Sequence, residues 1–339
     1  MTMPRQALPP EMRCPSHGAP LDHGAPVASG EKGLKGECGC EFPVRNGVPR
    51  FVPASNYADG FGIQWNAFRK TQLDSHSGAP ISRNRLTRCL GGSLEPLRGA
   101  SVLEVGCGAG RFTEVLLDAG ARVFACDLSG AVEANLENCG ASPRHFVCQA
   151  DVMKLPVGVG SFDFVIALGM IQHTPSPEET ITALAKAVRP GGVLVLDHYR
   201  TPRSVLRLLH AITPRGVLRP ILLRLPRSMA FRATGRIASL LLPLHRMLWR
   251  RGFVVDRIRA VWRRVSPVFD YYDSFPELGE KGLAEWARLD THDGLTDFYK
   301  HLRTPEQIAA ALTAAGLLVD ECRPGGNGVE ARASRPAPV

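Results

Sequence analysis

Glu104 precedes three glycines at alternate positions, Gly106, Gly108 and Gly110. A length of backbone bare of side chains therefore lies beside a carboxylate, and glycine lets such backbone bend through positive φ and approach a ligand closely. Two more carboxylates, Asp127 and Asp151, and two histidines, His173 and His198, each follow a short apolar run. Imidazole titrates near neutrality and suits proton removal from an acidic O–H or N–H. His292, flanked by Asp290 and Asp293, is a third candidate base.

These groups need a scaffold that brings them to one place. Val102, Leu103 and Val105 form a short apolar run of strand type, the glycines a tight turn, and Phe112, Val115 and Leu116 the start of a helical period. Strand, glycine turn and helix in that order place the turn at the carboxyl edge of a parallel sheet, where such sheets bind ligands. A dinucleotide fingerprint would read G-x-G-x-x-G. Here the spacing is G-x-G-x-G, and Arg111 stands where the last glycine of that fingerprint belongs.

The pattern E-x-G-x-G-x-G resembles the nucleotide-binding stretch of class I S-adenosylmethionine (SAM) methyltransferases, and four further stretches match in order. Arg122–Asp127 is similar to the second strand, ending in the carboxylate that this family uses for the ribose hydroxyls, about 20 residues after the turn. Gln149-Ala150-Asp151 is similar to the stretch whose carboxylate lies near the adenine amine, Phe162–Pro175 to the fourth strand and its loop, and Val188–Asp197 to the fifth strand. The resemblance implies a Rossmann-like α/β fold with seven strands, the last antiparallel. It implies SAM as cofactor, held by Glu104, Gly106, Cys107, Gly108, Gly110, Asp127, Leu128, Asp151, Val152 and Leu168, with Arg111 a neighbour.

The chain has 339 residues, enough for a full core and additions. Hydrophobic content of 44% with 22% charged residues is that of a globular protein, and no apolar run is long enough to span a bilayer. The N-terminus does not read as a signal peptide, and nine scattered cysteines suit a reducing cytoplasm. The net charge of +9 has one main source. Between Arg200 and Arg264 arginines recur throughout against a single acid, Asp256.

Residues 1–53 read as an appended module dominated by turn residues. Cys14-Pro-Ser-His17, Cys38-Gly-Cys40 and the closing phrase Phe42–Phe51 resemble the small zinc-ribbon-like domain fused to several methyltransferases. His17 replaces a cysteine, and Cys38 and Cys40 are one residue closer than the usual pair. Cys14, His17, Cys38 and Cys40 would form a Cys3His zinc site, or the ribbon folds without metal. Residues 54–98 carry Phe61, Trp65 and Phe68 at helical spacing, which suits packing. In related methyltransferases a helix at this place folds over SAM, which would make Gln64, Trp65 and Arg69 lid contacts.

The sheet core is expected over 99–199, with its last helix and closing hairpin over 304–339. Thr304-Pro-Glu-Gln307 has the residues of a capping box. The insertion, 200–303, repeats leucine and isoleucine at three and four with arginines between. Pro214, Pro220, Pro226 and Pro243 interrupt it, so several short helices forming a cap are expected.

The function these features imply is methyl transfer from SAM to oxygen or nitrogen of a small or amphiphilic acceptor, with His173, His198, His292 and Asp290 as candidate catalytic groups. Carbon methylation of a quinone-like ring at a membrane surface is an alternative, and a silent fold binding a partner protein or RNA is another. The arginine-rich insertion would select an anionic acceptor, rest on anionic lipid, or simply be solvated. It lacks the aromatic stacking platform of a nucleic-acid module, so nucleic acid is the weakest partner. The sequence leaves the oligomeric state open.

Overall fold

The turn-rich N-terminal stretch folds as a four-stranded antiparallel sheet: β1 (Leu21–Pro26), β2 (Lys32–Gly36), β3 (Glu41–Arg45) and β4 (Val48–Pro49), in that spatial order. It belongs to a computed structural model that describes residues 6–26, 32–53, 55–201, 213–249 and 253–337. Asn46 and Gly47 take positive φ between β3 and β4, as a tight hairpin demands. This small sheet is not a separate body. Met12, Cys14, Leu21 and Leu34 share one buried apolar core with Phe146, Cys148 and Val152 of the large sheet.

The large sheet is built around β5 (Ser101–Val105), whose residues are all buried, as in a strand covered on both faces. β6 (Arg122–Asp127) and β7 (His145–Gln149) extend it on one side, and β8 (Phe162–Ala167) and β9 (Val188–His198) on the other, all parallel. After them come β10 (Leu318–Gly325) and β11 (Gly328–Ser334), the closing antiparallel hairpin, with β11 paired to β9. The order β10-β11-β9-β8-β5-β6-β7 reverses direction beside β5. The carboxyl ends of β5 and β8 therefore flank a topological switch point, the place where such sheets open a crevice. The helix Pro305–Ala314 before the hairpin starts on the expected capping box of Thr304 and Gln307.

A buried ion pair fastens the crevice side. Asp197, fully buried in β9, takes Arg85 of the helix Ile81–Cys89 on Oδ2 and accepts from Gly169 N at 2.6 Å and Asn327 Nδ2 at 3.2 Å on Oδ1. Helix, loop and closing hairpin meet on one carboxylate.

The chain divides into two compact units. The first holds 1–56, 81–201 and 299–339, and the second 57–80 and 202–298. The division crosses the segment 54–98, since the helix Ile81–Cys89 joins the sheet and the helix Asp59–Ala67 joins the insertion.

Among the described residues the helices of the second unit are Asp59–Ala67, the short Asp74–Ser77, Pro214–Leu222, Arg227–Trp249, Phe253–Val265 and Gly279–Thr296. The expected run of short helices is corrected by Arg227–Trp249, which is 23 residues long and passes through Pro243. A proline inside a helix removes one hydrogen bond and crowds the carbonyl four residues back. Pro243 lies on the exposed face while Ala238, Leu242 and His245 are buried on the other, so the burial of one face outweighs that local cost. Beneath it His245 donates from Nδ1 to Asp270 at 2.5 Å, and its Nε2 hydrogen-bonds Ser266 Oγ at 2.7 Å. All three are buried, so this chain of bonds ties the helix to the 266–270 segment. Val205, Leu208, Leu209 and Ile212, which begin the apolar repeat of the insertion, lie outside the described residues.

Candidate functional site

The glycine turn after β5 has the backbone its composition requires: Gly106, Gly108 and Gly110 take φ of 76°, 50° and 98°. A Cβ at Gly106 would collide with Met170 in the loop after β8, and one at Gly110 would lie 2.7 Å from Cys139 Sγ. Alanine at either position would strain the turn and displace a neighbour. Cys107, Val152 and Leu168 are buried around it. Arg111 turns away: its Nε donates to Ser82 Oγ at 2.9 Å and its guanidinium lies over the Phe112 ring.

Asp127 ends β6 with its carboxylate laid against the turn. Oδ2 accepts from Gly108 N at 2.9 Å, and Oδ1 accepts from Ser129 N at 2.8 Å and Ser129 Oγ at 2.7 Å. A carboxylate has about four lone-pair sites, so Oδ2 keeps one for a ligand hydroxyl. Burial raises the Asp127 pKa, and those three donors act against the rise. Glu104 is buried in β5 and accepts from Thr113 Oγ1 at 2.6 Å, while its Oε1 has no partner among the described residues. Burial pushes its carboxyl up to about 8, opposed by the Thr113 bond. Asp151 begins the short turn Val152–Lys154 and accepts from Met153 N at 2.9 Å. The carbonyl of Leu128 accepts from Gln149 Nε2 at 2.9 Å and from Asn56 Nδ2 at 3.0 Å.

The neighbouring loops carry the histidines. His198 ends β9 fully buried, and its Nδ1–H donates to the Tyr199 carbonyl at 2.8 Å. A carbonyl can only accept, so this bond fixes the proton on Nδ1 and leaves Nε2 as a lone pair. That lone pair is buried and unpartnered among the described residues. Burial lowers the His198 pKa, which keeps the ring neutral near pH 7. His173, in the turn Ile171–His173, likewise donates from Nδ1 to the Tyr299 carbonyl at 3.2 Å. Beside it Gln172 is fully buried with neither amide side-chain atom paired among the described residues, and its carbonyl accepts from His301 N at 2.9 Å. The buried Nε2 of His301 is likewise unpaired among the described residues.

Four candidates belong to the second unit. Gln64 is buried in the helix Asp59–Ala67 with its Nε2 unpaired among the described residues, Trp65 is half-buried, and Phe68 packs on Phe231 at 5.9 Å. His292 is buried with Nδ1 2.9 Å from Thr234 Oγ1, and burial first, then Arg227, lowers its pKa to about 4. Asp290 is held by the Tyr271 hydroxyl and by Gln72 Nε2 at 3.5 Å.

The cysteine and histidine quartet gathers. The donor atoms of Cys14, His17, Cys38 and Cys40 all lie within 4.8 Å of one another, with His17 Nδ1 3.3 Å from Cys40 Sγ and 3.8 Å from Cys14 Sγ. Zinc bonds of about 2.3 Å to sulfur and about 2.0 Å to nitrogen put tetrahedral donors roughly 3.5 to 3.8 Å apart. Small inward shifts would close the quartet on such an ion. Gly39 at φ 80° makes the short Cys-x-Cys spacing workable, and Gly18 at φ 70° turns the chain back after His17.

Residue types alone did not point to Ser129, Gln149, Gln172, Asp197 or His301. The available signals were local: Ser129 stands two after Asp127, where an Asx turn forms, Gln149 stands two before Asp151, and Gln172 adjoins His173.

Residues 103–196 match the sequence profile of a methyltransferase domain. Over 100 residues the chain is 36% identical to the ubiquinone biosynthesis O-methyltransferase of Aromatoleum aromaticum, which covers 28% of this chain and 42% of that protein. Over 112 residues it is 38% identical to the enzyme of the same name from Xanthomonas oryzae pv. oryzae, covering 32% and 47%. The chain thus spans less than half the length of these relatives. Among solved structures, magnesium protoporphyrin IX methyltransferase from Synechocystis PCC 6803 with bound S-adenosylhomocysteine (SAH) aligns over 82% of this chain and 96% of its own, at 16% identity and a TM-score of 0.42. The matched residues are those of the sheet from β5 to β9, with the Rossmann-like order described above.

Proposed function

We propose that the chain is a SAM-dependent methyltransferase acting on an oxygen of a small-molecule acceptor. The observation that carries the reading is the Asp127 carboxylate set against the glycine turn with an oxygen lone pair left over. Glu104 Oε1, buried and unpaired among the described residues, supports it from the other side of the turn, as a group awaiting a hydrogen-bond partner. Gly106, Cys107, Gly108 and Gly110 would form the cradle, Asp127 and Leu128 the ribose side, Asp151 and Val152 the base side, and Leu168 the wall after β8. Identity to O-methyltransferases over the same stretch supports oxygen above nitrogen or carbon.

Bound SAM supplies an electrophilic methyl group, and the protein must align an acceptor in line with it and exclude water. His198 suits the acceptor's proton. Its Nε2 lone pair is fixed by the Nδ1 bond and the ring is neutral, so it takes a hydroxyl proton as the oxygen becomes nucleophilic. His173 holds the adjoining loop through Tyr299 in the same tautomer. Under this reading Asp290 and His292, with Gln64 and Trp65, shape the second unit. Titration calorimetry with SAH tests the cofactor, and incubation of a metabolite extract with methyl-labelled SAM tests transfer. A folded protein that binds no SAH would favour the silent-fold alternative.

Zinc at Cys14, His17, Cys38 and Cys40 belongs to the same proposal, on the strength of four donors within 4.8 Å. Elemental analysis of the purified chain before and after chelation tests it, with one equivalent of zinc lost on chelation as the expected result. Peripheral membrane contact is favoured by one feature of the second unit. Ile258, Val261 and Val265 are exposed on one face of the helix Phe253–Val265, with Arg257 and Arg263 beside them. Among the described residues no helix is long and apolar enough to cross a membrane. Failure to pellet with anionic liposomes at low salt would remove that contact.

A further inference from the structure

The ribbon module ends in Arg50, and this arginine is built into the large sheet. Its backbone bridges Gln149 in parallel register at the end of β7, where Phe51 N donates to the Gln149 carbonyl at 2.8 Å. The side chain is 8% exposed. Nη1 donates to Gln149 Oε1 at 3.0 Å, and Nη2 pairs with the carboxylate of Glu133, which opens the helix Val132–Cys139. Further along the same edge Gln6 accepts from Val147 N at 2.7 Å and donates to Val147 O at 2.9 Å.

Between Gln149 and Glu133 lies the loop that follows Asp127. An amide has one acceptor end and one donor end, so Arg50 on Oε1 commits Nε2 to the other side, where it donates to the Leu128 carbonyl. Ala150 N donates to the Asp127 carbonyl at 3.0 Å in the same register. Without the guanidinium the amide is free to turn over, which would set its oxygen against the Leu128 oxygen. Glu133, at the far end of the loop, would lose its cation at the same time. One residue of the appended module thus grips both ends of the segment that orients Asp127.

We propose that Arg50 is a positioning residue for the cofactor edge: through Gln149 and Glu133 it holds the 127–131 loop in the shape that binds an adenosine ribose. The N-terminal module then contributes to the cofactor site through Gln149 and Glu133. This rests on the assignment of Asp127 to the ribose. A role of this kind differs from packing, because it runs through one amide whose orientation matters.

The experiment is titration calorimetry of the full chain with SAH, with melting temperature recorded for every variant. Arg50→Met weakens SAH binding about tenfold, Arg50→Lys restores part of it, and Arg50→Met with Gln149→Leu together cost no more than the larger single change, as expected for groups acting in series. Gln149→Glu is the second variant, for the case that Arg50→Met fails to fold. It keeps a partner for Arg50 but puts an oxygen opposite the Leu128 carbonyl, so it weakens SAH binding while the melting temperature stays unchanged. Wild-type affinity in Gln149→Glu, or additive losses in the double variant, would overturn the proposal. A wild-type chain that binds no SAH would instead overturn the SAM assignment, and this proposal with it.

Discussion

The carboxyl edge of the large sheet has two halves that differ in how their polar groups are satisfied. On the β6 and β7 half, Asp127 accepts three hydrogen bonds, Leu128 two, and both ends of the Gln149 amide are engaged. On the β8 and β9 half, both ends of Gln172, the Nε2 of His198 and the Nε2 of His301 are buried and unpaired among the described residues. A buried polar atom without a partner costs about 1–3 kcal/mol. The contrast teaches that one half is shaped in advance of its ligand, while the other carries a cost that a polar acceptor would offset.

Substitutions can break that contrast, and the largest effect is expected where the finished half meets the cofactor. Asp127→Ala should lower SAH affinity about 100-fold, since hydrogen bonds to charged groups are worth about 1.5–3 kcal/mol and the loop also loses its anchor. Calorimetry measures it, and near-normal affinity would show that the carboxylate serves only the loop. On the unfinished half, His198→Ala should lower kcat about 100-fold and leave SAH affinity unchanged, as loss of a general base does. An unaltered kcat would assign the proton to solvent or another group.

Gln172→Leu sharpens the contrast further, because stability and activity should move in opposite directions. Removing two unpaired polar atoms raises the melting temperature by about 2–4 °C, and loss of the acceptor contact lowers kcat/KM about tenfold. A rise in stability with full activity would make Gln172 a tolerated defect with no part in binding. A further effect concerns Glu104, whose Oε1 is buried and unpaired among the described residues. Its pKa is about 8 in the folded protein, above the ordinary glutamate value near 4.5 in the unfolded chain. The folded state therefore binds the extra proton between those values, so the stabilisation is complete below about pH 4.5 and is lost as pH rises through 8. Melting scans of the ligand-free chain should show this fall between about pH 4.5 and 8, and Glu104→Gln should flatten it.

What the sequence made legible follows the same division. The strand, the glycine turn and Asp127 are specified by contiguous residues, and the structure sets them together in the seven-stranded sheet that the resemblance implied. Ser129 and Gln149 escaped notice because their roles depend on which atoms face which: a hydroxyl two residues along a turn, and an amide oriented by an arginine 99 positions away. The histidine tautomers were out of reach for the same reason, since the Tyr199 carbonyl decides where the proton sits on His198. In the insertion, proline positions suggested breaks, yet the helix Arg227–Trp249 continues through Pro243 because burial of its other face dominates. The Cys-x-Cys spacing by itself does not show the turn that Gly39 supplies at positive φ.

The convergence of Arg85, Gly169 and Asn327 on Asp197 has a practical bearing on how the chain can be cut or tagged. Trimming away the hairpin that carries Asn327 would strip β9 of its β11 neighbour and leave the Gly169 bend with one fewer tether. Protease nicking at Pro324–Asn327 should therefore loosen the Gly169 bend far away in sequence, so fusion partners are better attached by a long spacer than grafted onto that tip.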